Sequence, residues 1–120
     1  MDRIKDKVAI VTGGANGIGK AICERFAQEG AWVLIVDIEE TVGQGTAAAI
    51  KAGGGRAEFV RADVSNQEEV QSAVARAAAH NGRVDILCNN AAYISSGFHG
   101  ALGSGILAAR GRQHENLRVI

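Results

Sequence analysis

The chain has no proline, no net charge, two cysteines and three histidines in 120 residues. Each shortage excludes something. Thirteen basic residues balance thirteen acidic ones, so no basic excess is left to neutralise phosphates, and no nucleic-acid footprint is visible. No apolar run approaches the roughly 20 residues needed to cross a bilayer. The opening segment, Met1 to Lys7, mixes both charge signs and is unlike a secretory signal. Cys23 and Cys88 are too few for a disulfide framework or a zinc cluster of their own. They read as small buried residues of a reducing, cytoplasmic protein. Without proline, glycine alone punctuates the fold. There are 16 glycines, nearly twice the average usage of about 7%. The 47% apolar and 22% charged fractions suit a globular domain, and the length fits one domain or a piece of a larger one.

The apolar, β-branched run at 8–11 reads as a strand buried on both faces, ended by Thr12-Gly13-Gly14. Ile18, Ile22 and Phe26 recur at helical spacing, with Gly30 as a stop. A second buried strand covers 32–36 and ends at Asp37. Residues 39–51 read as a helix weakened by Gly43 and Gly45 and stopped by Gly53-Gly54-Gly55. A short third strand covers 57–61. Ser65 and Glu68 have the spacing of a capping box, opening a helix with Val70, Val74, Ala77 and Ala78 on one face. A fourth strand covers 84–88. Strands alternating with helices predict right-handed βαβ units and a parallel sheet with helices on both faces. From Ile94 to Ile120 the text changes: five glycines, two histidines and no capped helix or buried strand.

Thr12-Gly13-Gly14-Ala15-Asn16-Gly17-Ile18-Gly19 lies at the first strand-to-helix junction. There Gly13 permits a sharp turn, Gly17 a close approach of backbone to a pyrophosphate, and Gly19 close helix–strand packing. The helix N-terminus offers unpaired N–H groups and partial positive charge to phosphates. The bland reading is a plain tight turn. Asp37 follows Gly19 by 18 positions (37 − 19), near the roughly 20 at which an acidic residue accepts hydrogen bonds from an adenosine ribose. Its charge would repel a 2′-phosphate, and Ile38, Glu39 and Glu40 supply no compensating cation, so NAD is expected over NADP. Here the bland reading is a solvated Asp closing a strand.

With these motifs the sequence resembles the short-chain dehydrogenase/reductase family over about residues 3 to 100. Thr12-Gly13-x-x-x-Gly17-x-Gly19 matches its cofactor turn, Asp63-Val64 its adenine-contacting pair, and Asn89-Asn90-Ala91-Ala92 its NNAG segment, with Ala92 where glycine is usual. The resemblance implies a Rossmann-type doubly wound parallel sheet, here partial, with about four strands in the order 3-2-1-4. It implies cofactor contacts at Thr12, Gly13, Asn16, Gly17, Ile18, Gly19, Asp37, Asp63, Val64, Asn90 and Ala91. Asp63 would meet the adenine edge, Asn89 would stabilise the sheet, and Ala91 would lie near the ribose. Taken singly, Asp63 could also be a helix cap and Asn89-Asn90 a turn.

The family's catalytic Tyr-x-x-x-Lys pair has no counterpart. Tyr93 is the only tyrosine, Gly97 stands four positions on, and no lysine follows Lys51. Ser95-Ser96-Gly97 with His99 lacks an orienting group, and His99 with His114-Glu115 is too small a set for a metal, so no catalytic or metal residue is assigned. Residues 1–93 are expected to form a partial dinucleotide-binding domain and 94–120 a divergent, mobile tail. The chain reads as the cofactor-binding part of an oxidoreductase for an alcohol or ketone, as a truncated or frameshifted gene would encode, with substrate only in a full-length parent. The alternative is a non-catalytic dinucleotide-binding module. A receiver-type signalling domain would need an acidic cluster where this chain has Thr12 and glycines. Strand four is expected to be an open edge that invites self-association.

Overall fold

The computed structural model describes residues 4–90 and 118–119. Among these residues, strands and helices follow in the order β1 (Val8–Thr12), α1 (Gly17–Gln28), β2 (Trp32–Asp37), α2 (Glu40–Ala52), β3 (Arg56–Arg61), α3 (Gln67–Asn81), β4 (Ile86–Asn89) and β5 (Arg118–Val119). They build one sheet in the order β3-β2-β1-β4-β5, with every neighbouring pair parallel. The 3-2-1-4 order expected from the sequence is present.

Strand periodicity sorts the core into two layers. Val8, Ile10, Trp32, Leu34, Val36 and Leu87 face α3, packing on Val70, Ala73, Val74 and Ala77. Val11, Val33, Ile35, Ala57 and Cys88 face the other way, against Cys23 and Ala27 of α1 and Ala47 and Ile50 of α2. β1 and β2 are therefore apolar at nearly every position because both of their faces are covered.

Three local readings change. α1 buries Gly19, Cys23 and Ala27, one position on from the expected stripe, of which Ile22 and Phe26 still pack partly against the core. Ile18 is left 75% exposed, because the helix comes so close to the turn before it that a glycine must face inward there. The cap is shifted by one and is not reciprocal: Asn66 Oδ1 accepts from the Glu69 N–H at 3.1 Å, the Glu69 carboxylate accepts from the Asp63 N–H at 2.9 Å, and the Ser65 hydroxyl donates to Asp63 Oδ1 at 2.7 Å. Gly43 weakens α2 for a packing reason. A Cβ there would lie 2.0 Å from Cε1 of Phe59, so the ring of β3 rests on bare backbone.

The edge of β4 is also not fully open. Ile86 and Leu87 pair in parallel with Arg118 and Val119, a strand too short for its apolar pattern to be read. At the opposite end of the strands, Asp85 anchors the start of β4. It is 5% exposed, accepts from the Val8 N–H at 2.8 Å, and is gripped by Arg83 Nε at 2.9 and 3.1 Å. Its own N–H donates to Val8 O at 2.9 Å.

Candidate functional site

Because the strands are parallel, Thr12, Asp37 and Asn89 share the carboxyl edge of the sheet. β1 has β2 on one side and β4 on the other. The connections therefore reverse direction at β1, and a crevice opens above its end, where ligands of open parallel sheets bind.

The segment between β1 and α1 is fixed at almost every residue. Gly13 takes φ +67°, and its N–H donates to Val36 O at 2.8 Å. The Ala15 N–H donates to Asp37 Oδ2 at 3.1 Å. The Ala15 carbonyl accepts from the Thr46 hydroxyl at 2.6 Å. The Asn16 side-chain amide donates to Glu39 Oε2 at 3.0 Å. Asn16 thus occupies the N-cap position of α1 without a side-chain cap bond, and no acidic residue lies in the first turn. The leading N–H groups of a helix have no intrahelical acceptor. Here no side chain caps them and the first turn itself carries no acidic residue, which suits an anion.

The glycines divide the work as their positions suggest. Gly17 has φ +61° and a built Cβ there meets nothing within 4 Å, so the position needs left-handed backbone and faces open space. Gly19 is the tight one. A Cβ there would lie 1.9 Å from Gly13 O and 2.6 Å from Asn90 Nδ2, so the close packing is against the turn itself.

Asp37 is more than a solvated strand end. Oδ2 holds Ala15, and Oδ1 accepts from the Glu39 N–H at 3.1 Å. Both oxygens are oriented by backbone, and each keeps acceptor capacity. From the β4 side, the Asn90 N–H donates to Thr12 Oγ1 at 3.0 Å and Asn90 Nδ2 to Gly13 O at 3.2 Å. The Thr12 hydroxyl reaches Cys88 O at 3.3 Å. Asn89 closes β4 in register with Thr12. Asp63 and Val64 follow β3. The Asp63 carboxylate accepts from the Ser65 hydroxyl and N–H, and these bonds hold its pKa below the usual value. Val64 packs partly against the core.

Ala91, Tyr93, Ser95, Ser96, His99 and His114 lie outside the described residues. Among the described residues no group of three His, Cys, Asp or Glu is placed to hold a metal, and no helix is long and apolar enough to cross a membrane. Burial pushes the Cys23 thiol up to about 12 and also raises Cys88, so both stay protonated and inert near neutrality.

Two residues at the site were not read from the sequence, Glu39 and Thr46. Thr46 carried a signal, as a lone polar residue on the inward face of α2 beside Ala47 and Ile50. Glu39 carried none, since three acidic residues crowd positions 37–40.

Comparison with known proteins extends the geometry. A sequence profile described as short chain dehydrogenase matches residues 7–103. The chain is 47% identical over 109 residues to the maize (Zea mays) sex determination protein tasselseed-2, covering 90% of this chain and 29% of that protein. It is 43% identical over 96 residues to a 2,5-dichloro-2,5-cyclohexadiene-1,4-diol dehydrogenase of Sphingobium indicum, covering 80% and 38% respectively. The chain thus spans about a third of the length of these relatives. A hydroxysteroid dehydrogenase structure from Escherichia coli superposes with a TM-score of 0.82 at 28% identity, over 89% of this chain and 53% of that one.

Proposed function

The chain belongs to the short chain dehydrogenase family, whose members use nicotinamide dinucleotides, and on that premise we propose that these residues bind NAD in preference to NADP. They would serve an oxidoreductase acting on an alcohol or carbonyl group. The observation that carries the proposal is the bond from the Ala15 N–H to Asp37 Oδ2. It ties a turn suited to phosphate to a carboxylate suited to a ribose, across 22 residues of sequence.

The residues present fit such a cofactor. The space before Gly17 and the uncapped start of α1 suit a pyrophosphate. The contacts would come from Thr12, Gly13, Asn16, Gly17, Ile18, Gly19, Asp37, Asp63, Val64, Asn90 and Ala91. When bound, the dinucleotide supplies hydride transfer at its nicotinamide ring. The protein holds and orients it. Asp37 and Glu39 place two carboxylates at the end of β2 with Ile38 between them, so a 2′-phosphate would meet repulsion, and Arg61, in register with Asp37 on β3, is paired with Glu69. No Tyr-x-x-x-Lys pair occurs in these 120 residues, so we assign them cofactor binding and assign catalysis to none of them. The substrate would be a small alcohol or ketone, and the buried thiols fit a reducing, cytoplasmic setting.

Calorimetric titration with NAD and NADP tests the proposal. Unmodified chain should prefer NAD, Asp37→Ala should narrow the preference, and Ile38→Arg should improve NADP binding. Equal or tighter binding of NADP by the unmodified chain would defeat it.

A further inference from the structure

We infer that Thr46, in the middle of α2, is a positioning residue for the phosphate-binding turn and acts through the peptide bond between Ala15 and Asn16. The inference rests on the reading of that turn as a pyrophosphate site. Thr46 is 4% exposed. A helical threonine ordinarily returns its hydroxyl to a carbonyl of the preceding turn. This one instead donates to Ala15 O, 31 residues away, at 2.6 Å.

What that bond controls follows from peptide geometry. A trans peptide is planar, and its C=O and N–H point in opposite directions. Anchoring the Ala15 oxygen toward α2 therefore turns the Asn16 N–H away from α2, and no group among the described residues accepts from it. The other peptide of residue 15 is held as firmly, by Asp37 on the Ala15 N–H. Gly13 and Gly14 precede this segment and Gly17 follows it. Rotating this peptide turns ψ of Ala15 and φ of Asn16, and asparagine is among the few non-glycine residues that readily take positive φ, so the hydroxyl has a real alternative to suppress. Glu39, the N-cap residue of α2, restrains the Asn16 side chain, so α2 and its cap set both the backbone and the side chain of that residue.

Full-length chain carrying Thr46→Val or Thr46→Ser separates positioning from mere packing. Valine keeps the branched shape and loses the donor, while serine keeps the donor. ADP and adenosine are the calorimetric probes, and amide NMR of the free protein reports Asn16. Thr46→Val should weaken ADP binding about tenfold, the worth of one directed hydrogen bond, and adenosine binding hardly at all. Thr46→Ser should restore ADP affinity. The Asn16 amide signal should move in the valine variant and return with serine. Thr46→Ala gives the same comparison if valine does not fold. Undiminished ADP binding by the valine variant, equal losses for ADP and adenosine, or failure of serine to restore would overturn the role. If unmodified chain binds neither probe, the pyrophosphate reading falls. The Asn16 signal then decides separately: unmoved by Thr46→Val, it overturns the positioning role as well.

Discussion

Gly43 and Gly45 lie two positions apart in α2, and the structure gives alanine opposite effects at the two. At Gly45 a Cβ meets nothing within 4 Å. Gly45→Ala should therefore stabilise by about 0.5–1 kcal/mol, the glycine penalty in a helix interior. At Gly43 the same gain is available, but the new Cβ would lie 2.0, 2.3 and 2.7 Å from Cε1, Cδ1 and Cζ of Phe59. Carbon atoms in contact sit about 3.5–4.0 Å apart, so the half-buried ring must retreat by more than an ångström from its place against the core. Overpacking of that kind costs about 1–3 kcal/mol, which outweighs the helical gain. Gly43→Ala should melt below the unmodified chain and Gly45→Ala above it. For a domain of this size 1 kcal/mol is about 4–8 °C, so far-ultraviolet circular dichroism resolves both shifts. In a Phe59→Ala background the obstacle is gone and Gly43→Ala should become stabilising, a sign reversal in the double-mutant cycle. Equal stabilisation by both alanines with Phe59 intact would show that the ring does not rest on Gly43.

Asp85→Ala removes the acceptor of the Val8 N–H and the partner of Arg83. It should cost about 2 kcal/mol in urea unfolding, because the buried Val8 N–H loses its acceptor; an unchanged unfolding midpoint would refute the assignment. The Asp63 carboxyl has a depressed pKa in the fold through its Ser65 bonds. Its stabilising contribution is thus present above the unfolded value, about 3.9, and is lost as pH falls through the folded one. Carboxyl NMR titration of Ser65→Ala should show that pKa rising. The Cys23 thiol has a raised pKa, 9.0 going to about 12. It should add stability below pH 9 that is lost as pH rises toward 12, and neither thiol should react with a disulfide reagent at pH 8 until urea unfolds the chain.

The sheet was legible because both faces of β1 and β2 are buried, so apolar runs mark them without ambiguity. The glycine turn and Asp37 were legible because backbone conformation and charge restrict those positions to few residue types. Ile18 misled because helical spacing fits two adjacent stripes equally, and the choice was made by a contact with Gly13 that no local pattern records. The capping box misled for a similar reason. Ser65 and Asn66 are both competent caps, and Asp63 engaged the serine. Thr46 and Phe59 matter through partners 31 and 16 residues away (46 − 15 and 59 − 43), a separation beyond any periodicity. β5 is two residues long, below the length at which alternation means anything.

The place of β1 between β2 and β4 also bears on how the sheet can assemble. Pairing Val8 with Trp32 spans 24 residues (32 − 8), and pairing Trp32 with Arg56 spans 24 more (56 − 32). Pairing Ala9 with Ile86 spans 77 (86 − 9). Closing that longer loop from an unfolded chain costs about 1 kcal/mol more in entropy. Once β3 is in place the free segment shrinks to the 25 residues from Arg61 to Ile86 (86 − 61), which matches the earlier steps. Docked in chain order, β2, β3 and β4 each close a loop of nearly the same length. Docked first, β4 pays the long closure before β2 and β3 can reward it. The strand that lies under the turn is thus also the seam where the local half of the chain waits for its distant strand. Slow folding steps should map to β4, and amide protection should appear on the β1–β2–β3 side before it appears between Ala9 and Ile86.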